Sequence, residues 1–464
     1  MPLGTGVKRF EPAHCTRPRL AYRLGMFENS ESKMVQRALL VSAYTDHAAK
    51  AESQSLLVEL EELVDTLGIP VIERLLVHHR ETHARFLVGS GKAEEVVARA
   101  QELHADVIVF DNELTPSQQR NWEKIAPKIA VIDRQEVILD IFGKRAQTRE
   151  ARLQVELARM EYSLPRLTRA WGHLARQGGG IGSRGEGESQ LEQDKRRVRN
   201  SIDRCKRELL EVRSSRATQR KDRKRTPVPN AAIVGYTNAG KSSLLRKLTG
   251  ADVLIEDKLF ATLDTTTRKI ELPNKQPLLL TDTVGFVRKL PHRLVEAFNA
   301  TLEEAVLADF LIHLLDASQP EVLEHYNTTL KVLNELGAEH KRTLVVFNKI
   351  DRIEDPTVLS HLRRHFPEAL YISVHTGEGL DALVDRIGEF VSEGACVREL
   401  LIPASASDLV AKLHRHAKVI ETEYVDQNVR ILALIPPRLA AECAPYSEAA
   451  AGTGTGVRGQ GSER

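Results

Sequence analysis

The chain contains 464 residues, of which 42% are hydrophobic and 28% are charged, and its formal net charge is +2. This length predicts two to four domains, and this hydrophobic content is sufficient for ordinary buried cores. No apolar run approaches the roughly 18 residues that a transmembrane helix requires, so we expect no membrane span. The four cysteines are far apart and form no Cys-x-x-Cys metal-ligand pair, which favours a reduced protein of the cytoplasm.

Both ends of the sequence differ in composition from the rest. Residues 1–36 carry arginines, few acidic residues and no apolar signal-peptide core. They loosely resemble a transit peptide, but we favour a disordered tail or a start at Met34. Residues 449–464 are rich in glycine, threonine and serine and are also expected to be disordered.

Residues 37–142 alternate strand and helix signals, which predicts a small α/β domain with a largely parallel sheet. Helices are predicted where apolar residues follow helical spacing between positions 56 and 67, between positions 92 and 103, and after Thr115. Strands are predicted at Ala38–Tyr44, Val71–Val77, Phe86–Val88, Val107–Phe110 and Ala130–Ile132.

One turn in this domain has two interpretations. The segment Val88–Lys92 reads Val-Gly-Ser-Gly-Lys and precedes a predicted helix, so it partly resembles a phosphate-binding loop. It lacks the full G-x-x-x-x-G-K-S/T spacing, which favours a tight turn into the helix. The alternative is an ATPase site for remodelling nucleic acid, which nucleotide hydrolysis by a fragment ending near Arg225 would reveal.

Residues 143–225 contain two apolar seams of heptad type, which predict two long helices. Such helices, when a loop joins them, pack as an antiparallel hairpin. The seams are Leu153, Leu157, Met160, Leu164 and Leu167, followed by Val198, Ile202, Cys205, Leu209 and Val212.

The loop between these helices, residues 177–188, contains six glycines. Glycine has the most conformational freedom to lose, so this loop is either a flexible connector or a tip that becomes ordered against a partner. We favour ordering, because the loop also carries charged residues and lies at the end of a hairpin.

Basic residues are dense between Lys195 and Arg225. This excess on an extended helix favours contacts with nucleic-acid phosphates over a merely solvated face. The stretch contains no aromatic residue, so stacking of single-stranded bases is not indicated.

Residues 229–394 contain a complete phosphate-binding motif. The predicted strand Ala231–Val234 leads into Gly235–Ser242, which reads Gly-Tyr-Thr-Asn-Ala-Gly-Lys-Ser and precedes a predicted helix. Glycines allow backbone N–H groups to surround phosphate oxygens, and the helix N-terminus adds a favourable dipole. Lys241 supplies a cation for the β- and γ-phosphates, and Ser242 offers a hydroxyl to Mg²⁺.

A second motif follows the predicted strand Leu278–Thr281. Asp282 at the end of this strand can hold Mg²⁺ through water, and the N–H group of Gly285 can meet the γ-phosphate. The position after Gly285, where a glutamine could orient the attacking water, is Phe286. We therefore expect slow intrinsic hydrolysis unless a partner completes the site.

Two further motifs indicate which base is bound. Asn348–Asp351 reads Asn-Lys-Ile-Asp after an apolar run. The Asp351 carboxylate can accept from N1–H and the exocyclic amino group of guanine, a donor pair that adenine lacks. Asn348 is expected to brace the loop and the Lys349 stem to cover the base, while backbone N–H groups of Ser373–His375 contact guanine O6. Four motifs in this order predict a doubly wound sheet with GTP at its carboxyl edge.

With these motifs the chain resembles the HflX family of translation-factor-related GTPases. The resemblance covers residues 38–436 and also rests on Leu259–Asp264, on Met160–Pro165 and on the loop Gln177–Glu192. It implies GTP hydrolysis with Mg²⁺, binding of the large ribosomal subunit, and a role in ribosome splitting, rescue or assembly. One departure is Thr265, where the family commonly has proline, so the adjoining loop is expected to be less rigid.

The resemblance also implies particular contacts. Thr262 is the implied switch ligand of Mg²⁺ beside Ser242, and Phe260–Asp264 form the mobile segment around it. Asn238 stands where some related GTPases bind K⁺, so K⁺ is a candidate second cation. Lys241 and Gly285 are the expected catalytic residues. Contacts with ribosomal RNA are expected at Gly178, Gly179, Gly180, Arg184, Arg196 and Arg197.

All residues expected to contact GTP or GDP lie in the motifs described above. They are Gly235, Tyr236, Thr237, Asn238, Ala239, Gly240, Lys241, Ser242, Ser243, Phe260, Ala261, Thr262, Leu263, Asp264, Asp282, Thr283, Val284, Gly285, Asn348, Lys349, Ile350, Asp351, Ser373, Val374 and His375.

The expected architecture is therefore α/β, with a P-loop GTPase domain at 229–394. A small α/β domain at 37–142 and the antiparallel hairpin at 143–225 precede it, and a small α/β unit at 395–448 follows. This last unit is predicted to contain a helix near Ser407–His416 and strands near Val419–Tyr424 and Val429–Leu434. We expect a cytoplasmic monomer at ribosomes or at the membrane periphery; the alternative function is a nucleotide-gated adaptor for a protein partner.

Overall fold

The computed structural model describes residues 36–167, 184–224, 228–250, 259–260, 263, 265–273, 276–289, 303–392, 396–425, 427–435 and 437–447. Within these residues the chain forms a parallel sheet, a helical hairpin, a second and larger sheet, and a small antiparallel sheet. Among the helices of these ranges, none has the length and apolar character needed to cross a membrane.

The first sheet confirms the predicted N-terminal α/β domain. Its strands run in the order β2-β1-β3-β4, and all neighbouring strands are parallel. Both faces of this sheet are buried under helices. Apolar side chains of α1 and α4 pack on one face, and those of α2 and α3 pack on the other. The elements are β1 (Ala38–Tyr44), α1 (His47–Thr66), β2 (Val71–His78), α2 (Ser90–Glu102), β3 (Val107–Phe110), α3 (Pro116–Ile125), β4 (Ala130–Asp133) and α4 (Arg134–Arg145).

The strand predicted at Phe86–Val88 is wrong. His83 and Leu87 form an isolated bridge instead, with Leu87 at φ +71°, so the chain turns back on itself. Residues Phe86–Val88 are apolar because they are packed in the core and not because they form a strand. Phe86 packs against Trp122, whose Nε1–H donates to the Phe86 carbonyl at 3.0 Å. Lys92, within α2, pairs with Glu95 at 2.6 Å on the surface, as the interpretation of a tight turn expects.

The predicted hairpin is also present. It consists of α5 (Arg149–Ser163), a 3-10 turn (Leu164–Arg166) and α6 (Arg184–Lys224). The two predicted seams pack against each other in one apolar cluster. The end of α5 is anchored to the N-terminal domain, because the Tyr162 hydroxyl donates to Asp133 at 3.0 Å and Arg166 donates to the Leu114 carbonyl at 2.7 Å.

Only part of the predicted glycine-rich loop can be compared with the structure. Residues 184–188 belong to the first turns of α6, so the predicted loop ends before Arg184 rather than at Glu188. Gly178, Gly179 and Gly180 lie outside the described residues, as does the side chain of Arg184.

The larger sheet confirms the doubly wound GTPase fold. Its strand order is β10-β9-β8-β5-β7-β6, and β6 alone among these strands runs antiparallel to its neighbour. Strands β6 and β8 were not predicted. The elements are β5 (Asn230–Gly235), α7 (Lys241–Thr249), β6 (Thr266–Glu271), β7 (Pro277–Asp282), β8 (Phe310–Asp316), α8 (Val322–Glu335), β9 (Arg342–Asn348), α9 (Pro356–His365), β10 (Leu370–Tyr371) and α10 (Leu380–Ser392).

The C-terminal unit is a three-stranded antiparallel sheet in the order β11-β13-β12, covered by a helix. The predicted helix and both predicted strands are present, and β11 is an additional strand. The elements are β11 (Cys396–Pro403), α11 (Ser407–His416), β12 (Lys418–Val425), β13 (Asn428–Ile435) and α12 (Pro437–Cys443).

Candidate nucleotide-binding site

The predicted phosphate loop joins β5 to α7 and depends on two glycines. Gly235 has φ +148°, and a Cβ there would lie 2.1 Å from the carbonyl oxygen of Leu314 in the neighbouring strand β8. Gly240 has φ +96°, and a Cβ there would lie 2.4 Å from Nδ2 of Asn348. Only glycine fits both the backbone conformation and the close approach at these positions.

Lys241 is buried at the start of α7. Its ammonium donates to the carbonyl oxygens of Tyr236 at 2.7 Å and Gly235 at 3.2 Å. Burial lowers the pKa of Lys241 to about 8, and the nearby Asp282 carboxylate partly opposes this effect. A phosphate oxygen beside this ammonium would favour its charged form, because an opposite charge raises the pKa of a buried lysine.

Ser242 and Asp282 meet at the carboxyl edge of the sheet, as the sequence predicted. The Ser242 hydroxyl donates to Oδ2 of Asp282 at 2.6 Å. The next residue, Thr283, donates its hydroxyl to the Ile233 carbonyl at 2.7 Å, which fixes the end of β7 against β5. A hydroxyl and a carboxylate are hard oxygen donors of the type that Mg²⁺ prefers, so this pair fits the implied metal.

The segment after Asp282 lies directly against the phosphate loop. The Thr237 N–H donates to the Phe286 carbonyl at 2.8 Å, and the Phe286 N–H donates to the Gly235 carbonyl at 3.1 Å. Gly285, which precedes Phe286, packs so closely against Lys241 that a Cβ there would lie 2.8 Å from the lysine Nζ. The structure thus brings the two predicted catalytic residues together, and it buries the Phe286 ring in the core, where it cannot hydrogen-bond water.

Asn348 connects the phosphate loop to the loop after β10. Its Nδ2 donates to the Ala239 carbonyl at 2.9 Å, and its Oδ1 accepts from the Val374 N–H at 3.0 Å. The side chain is almost completely buried, so both of these bonds are shielded from water. Asn348 therefore braces the site in the way that the sequence predicted.

Lys349 follows Asn348 in the left-handed backbone region at φ +63°. Its ammonium forms an ion pair with Oδ2 of Asp316 at 2.7 Å and lies 3.5 Å from Oδ1 of Asn238. Sequence reasoning missed Asp316. The signal was an acidic residue ending the apolar run Phe310–Leu315, because polar residues at strand ends share the ligand edge of such a sheet.

Asp351 lies beside the loop Ser373–His375. A hydrogen bond from the Ser373 hydroxyl lowers the pKa of Asp351, and His375, whose Nδ1 is 3.9 Å from Oδ2 of Asp351, lowers it further. The carboxylate is therefore ionised at neutral pH, as acceptance of two hydrogen bonds from a base requires.

The predicted switch segment is described only in part. Ala261, Thr262 and Asp264 lie outside the described residues. Leu263 and Phe260 are buried, and the Phe260 ring packs edge-on against Phe142 of α4 with 4.6 Å between ring centroids. The Phe260 side chain thus contacts the N-terminal domain.

The basic residues of α6 are partly paired with acidic ones. Arg197 lies 3.4 Å from Asp194, Arg199 lies 3.3 Å from Glu192, and Lys206 lies 2.8 Å from Glu161. The acidic residues of this region therefore neutralise more of the basic helix than the sequence suggested. Such exposed pairs contribute little stability, so phosphates can compete for the same cations.

Three motifs meet at one edge of the sheet: the phosphate loop with its buried lysine, the hydrogen-bonded Ser242 and Asp282, and the Asn-Lys-x-Asp loop. This combination defines a P-loop GTPase.

Comparisons with known proteins agree with this class. Residues 54–143 match the family model "GTP-binding GTPase N-terminal", residues 145–223 match "GTP-binding GTPase Middle Region", and residues 230–349 match "50S ribosome-binding GTPase". GTPase HflX of Akkermansia muciniphila is 54% identical over 424 residues, which cover 89% of this chain and 97% of the relative. GTPase HflX of Lacrimispora saccharolytica is 41% identical over 425 residues, which cover 91% and 99%. The chain belongs to the HflX family of GTPases.

A crystal structure of a GTP-binding protein from Sulfolobus solfataricus in complex with GDP is 24% identical to this chain. The alignment covers 76% of this chain and 98% of that chain, with a TM-score of 0.40.

Two glycines at the ends of α7 form a matched pair for testing the loop. We expect Gly240→Ala to weaken GDP binding by about tenfold or more, because overpacking of this kind costs about 1–3 kcal/mol and displaces Asn348. Gly250 also has a positive φ of +64°, but a Cβ there would contact nothing within 4 Å.

Gly250→Ala therefore also places a side chain at a positive φ, but without the clash, and its GDP affinity should stay within about twofold of wild type. Equilibrium titration with a fluorescent GDP analogue measures both variants. Equal affinities for the two variants would contradict the assigned contact between Gly240 and Asn348.

Proposed function

We propose that this GTPase binds the large ribosomal subunit and couples GTP binding and hydrolysis to ribosome splitting, rescue or assembly. The observation that carries the proposal is α6, a single helix of 41 residues with a dense run of basic side chains. At 1.5 Å per residue this helix is about 60 Å long, enough to reach RNA far from the nucleotide. The matched description of residues 230–349 as a 50S ribosome-binding GTPase supports the same partner.

The nucleotide roles follow the geometry of the sheet edge. Lys241 binds the β- and γ-phosphates, and the Gly285 N–H, held beside it, binds the γ-phosphate. Asp351 binds the guanine edge, and the backbone of Ser373–His375 contacts O6. Ser242 and Thr262, with Asp282 through a water molecule, would hold Mg²⁺, which would supply positive charge against the charge that develops on the phosphates.

Among the described residues at the sheet edge, Lys241 and Gly285 position the phosphates, and the position after Gly285 offers no group that could orient the attacking water. The residue that follows Gly285 is a buried phenylalanine. Hydrolysis by the isolated protein is accordingly slow, and the ribosome supplies the missing orientation. When the γ-phosphate leaves, Gly285 and Thr262 lose a ligand, and the segments that carry them rearrange.

We also propose that ribosomal RNA is contacted by Gly178, Gly179, Gly180, Arg184, Arg196 and Arg197. Arg196 and Arg197 lie on α6, and both side chains are exposed. The protein acts as a cytoplasmic monomer. A protein adaptor gated by nucleotide remains the competing function, because several cations of α6 already pair with acidic neighbours.

Sedimentation with purified large subunits tests the proposed partner. We expect stronger co-sedimentation in a non-hydrolysable GTP analogue than in GDP, and a loss of affinity of about tenfold or more between about 50 mM and about 200 mM salt, because released counterions drive phosphate binding. Adding subunits should also raise the single-turnover hydrolysis rate well above that of the protein alone.

The double variant Arg196→Gln/Arg197→Gln should reduce this binding several-fold. Arg363→Gln/Arg364→Gln removes the same charge from α9 and serves as the control. Co-sedimentation with large subunits that does not depend on salt or nucleotide, together with an unchanged hydrolysis rate, would favour the protein adaptor instead.

We further propose that Asn238 binds K⁺ next to the phosphates. Its backbone has φ +58°, and its amide oxygen lies 3.5 Å from the Lys349 ammonium, so this oxygen already faces a cation that K⁺ would have to replace. A monovalent cation there adds positive charge where other GTPases use an arginine.

Replacing K⁺ by Na⁺ should lower the hydrolysis rate at least several-fold in the wild-type chain. Asn238→Gly removes the amide oxygen and tolerates the positive φ, so it should be slow in both salts. A wild-type rate that is the same in K⁺ and Na⁺ would eliminate the proposed cation.

A further inference from the structure

A buried group of charged side chains joins the N-terminal domain to the nucleotide site. At its centre is Glu59 of α1, which is almost fully buried. Its Oε2 accepts from the Tyr236 hydroxyl at 2.6 Å and from Nε of Arg288 at 2.8 Å. Its Oε1 pairs with the guanidinium of Arg134. One carboxylate thus holds groups from three separate parts of the chain.

Tyr236 connects Glu59 to the phosphate loop. Its carbonyl is one of the two that accept from Lys241, and its hydroxyl accepts from the Arg288 backbone N–H at 2.7 Å. Burial, followed by the charge of Glu59, raises the pKa of Tyr236 well above its ordinary value. The hydroxyl therefore stays protonated and donates to Glu59. The Tyr236 ring stacks on His325 with 3.8 Å between centroids, which fixes it further.

Arg288 and Lys289 connect the segment that contains Gly285 to the N-terminal domain. Nη2 of Arg288 donates to Ser55 of α1 at 2.9 Å, and Nη1 pairs with Glu324 of α8 at 3.2 Å. Lys289 pairs with Oδ2 of Asp111 at 2.8 Å. The segment after Gly285 is therefore attached to the N-terminal domain at two consecutive residues.

The remaining charges of the group balance one another. Asp111 holds Arg134 at 2.7 Å through its other oxygen. Burial alone would lower the pKa of Arg134, but Glu59 and Asp111 raise it above its ordinary value. Arg134 therefore remains charged and keeps Glu59 in place, since a buried ion pair needs both partners.

We propose that Glu59 is a positioning residue for GTP hydrolysis, which holds Tyr236 and Arg288 so that the backbone at Gly285 stays fixed against Lys241. The inference rests on the proposed role of the Gly285 N–H at the γ-phosphate. A donor that is fixed before reaction stabilises the transition state more than a mobile one. Loss of this fixation therefore lowers the hydrolysis rate more than it lowers GDP affinity, because GDP has no γ-phosphate.

The test uses three variants of the full chain: Glu59→Gln, Tyr236→Phe and the double variant that carries both. They are compared with Glu324→Gln in the absence of ribosomes. Glu324→Gln is the matched control, since Glu324 binds the same arginine but is 62% exposed. Single-turnover GTP hydrolysis and GDP affinity are measured for each variant.

We expect Glu59→Gln to slow hydrolysis about tenfold or more, with GDP affinity within about threefold of wild type. Tyr236→Phe removes one hydroxyl and should also slow hydrolysis selectively; it carries the test if Glu59→Gln does not fold. The double variant should be hardly slower than the slower single variant, because both act on one unit. Glu324→Gln should remain within about twofold of wild type.

A rate for Glu59→Gln and Tyr236→Phe at or above that of wild type would overturn the proposal. An equal loss of hydrolysis and GDP affinity would overturn it too, because it would indicate a general structural defect. The experiment contains no ribosomes, so failure of ribosome binding leaves its result unaffected.

Discussion

The buried amide of Asn348 connects the loops on which the nucleotide site depends. Its side chain bonds to the loop after β5 and to the loop after β10, while its carbonyl accepts from the Ala317 N–H after β8 at 2.9 Å. Because these strands are parallel, their ends meet at one edge, and one small polar residue can reach all three. Removing it would leave buried backbone groups without partners, at about 1–3 kcal/mol each. The requirement for glycine at position 240 follows from the same contact, since Asn348 occupies the space of a Cβ.

A second set of contacts makes the N-terminal domain part of the same unit. Arg134, at the start of α4, reaches Glu59 and thereby Tyr236 of the phosphate loop. The preceding residue, Asp133, accepts from Tyr162 at the end of α5. Two adjacent residues thus touch the nucleotide side and the hairpin side of the molecule. A continuous path of packed and hydrogen-bonded groups therefore connects the phosphate loop with the hairpin, and such a network is one physical route by which two distant sites can be coupled.

Local patterns in the sequence predicted much of this structure. The seams of the hairpin, the phosphate loop and the strand ends at Asp282 and Asn348 depend on spacing within a few residues, and the structure contains all of them. Strand β6 has a single buried residue, Ile270, and lies at the sheet edge, so its apolar signal is weak. At Phe86–Val88 an apolar run fills space under Trp122, and hydrophobicity alone does not distinguish a packed turn from a short strand. Glu59 and Tyr236 are 177 residues apart, and nothing near either residue indicates the other. Such contacts arise only from how the domains pack.

The most direct measurement for the account is the base preference of the Asp351→Asn variant. Affinities for GDP, xanthosine diphosphate and ADP are compared in wild type, in Asp351→Asn and in Asp355→Asn, a control four residues away that caps α9. We expect wild type and Asp355→Asn to prefer GDP strongly. Asp351→Asn should lose that preference and gain affinity for xanthosine diphosphate, because an amide donates where the carboxylate accepted. Retention of the full preference for GDP by Asp351→Asn would contradict the claim that this carboxylate recognises guanine.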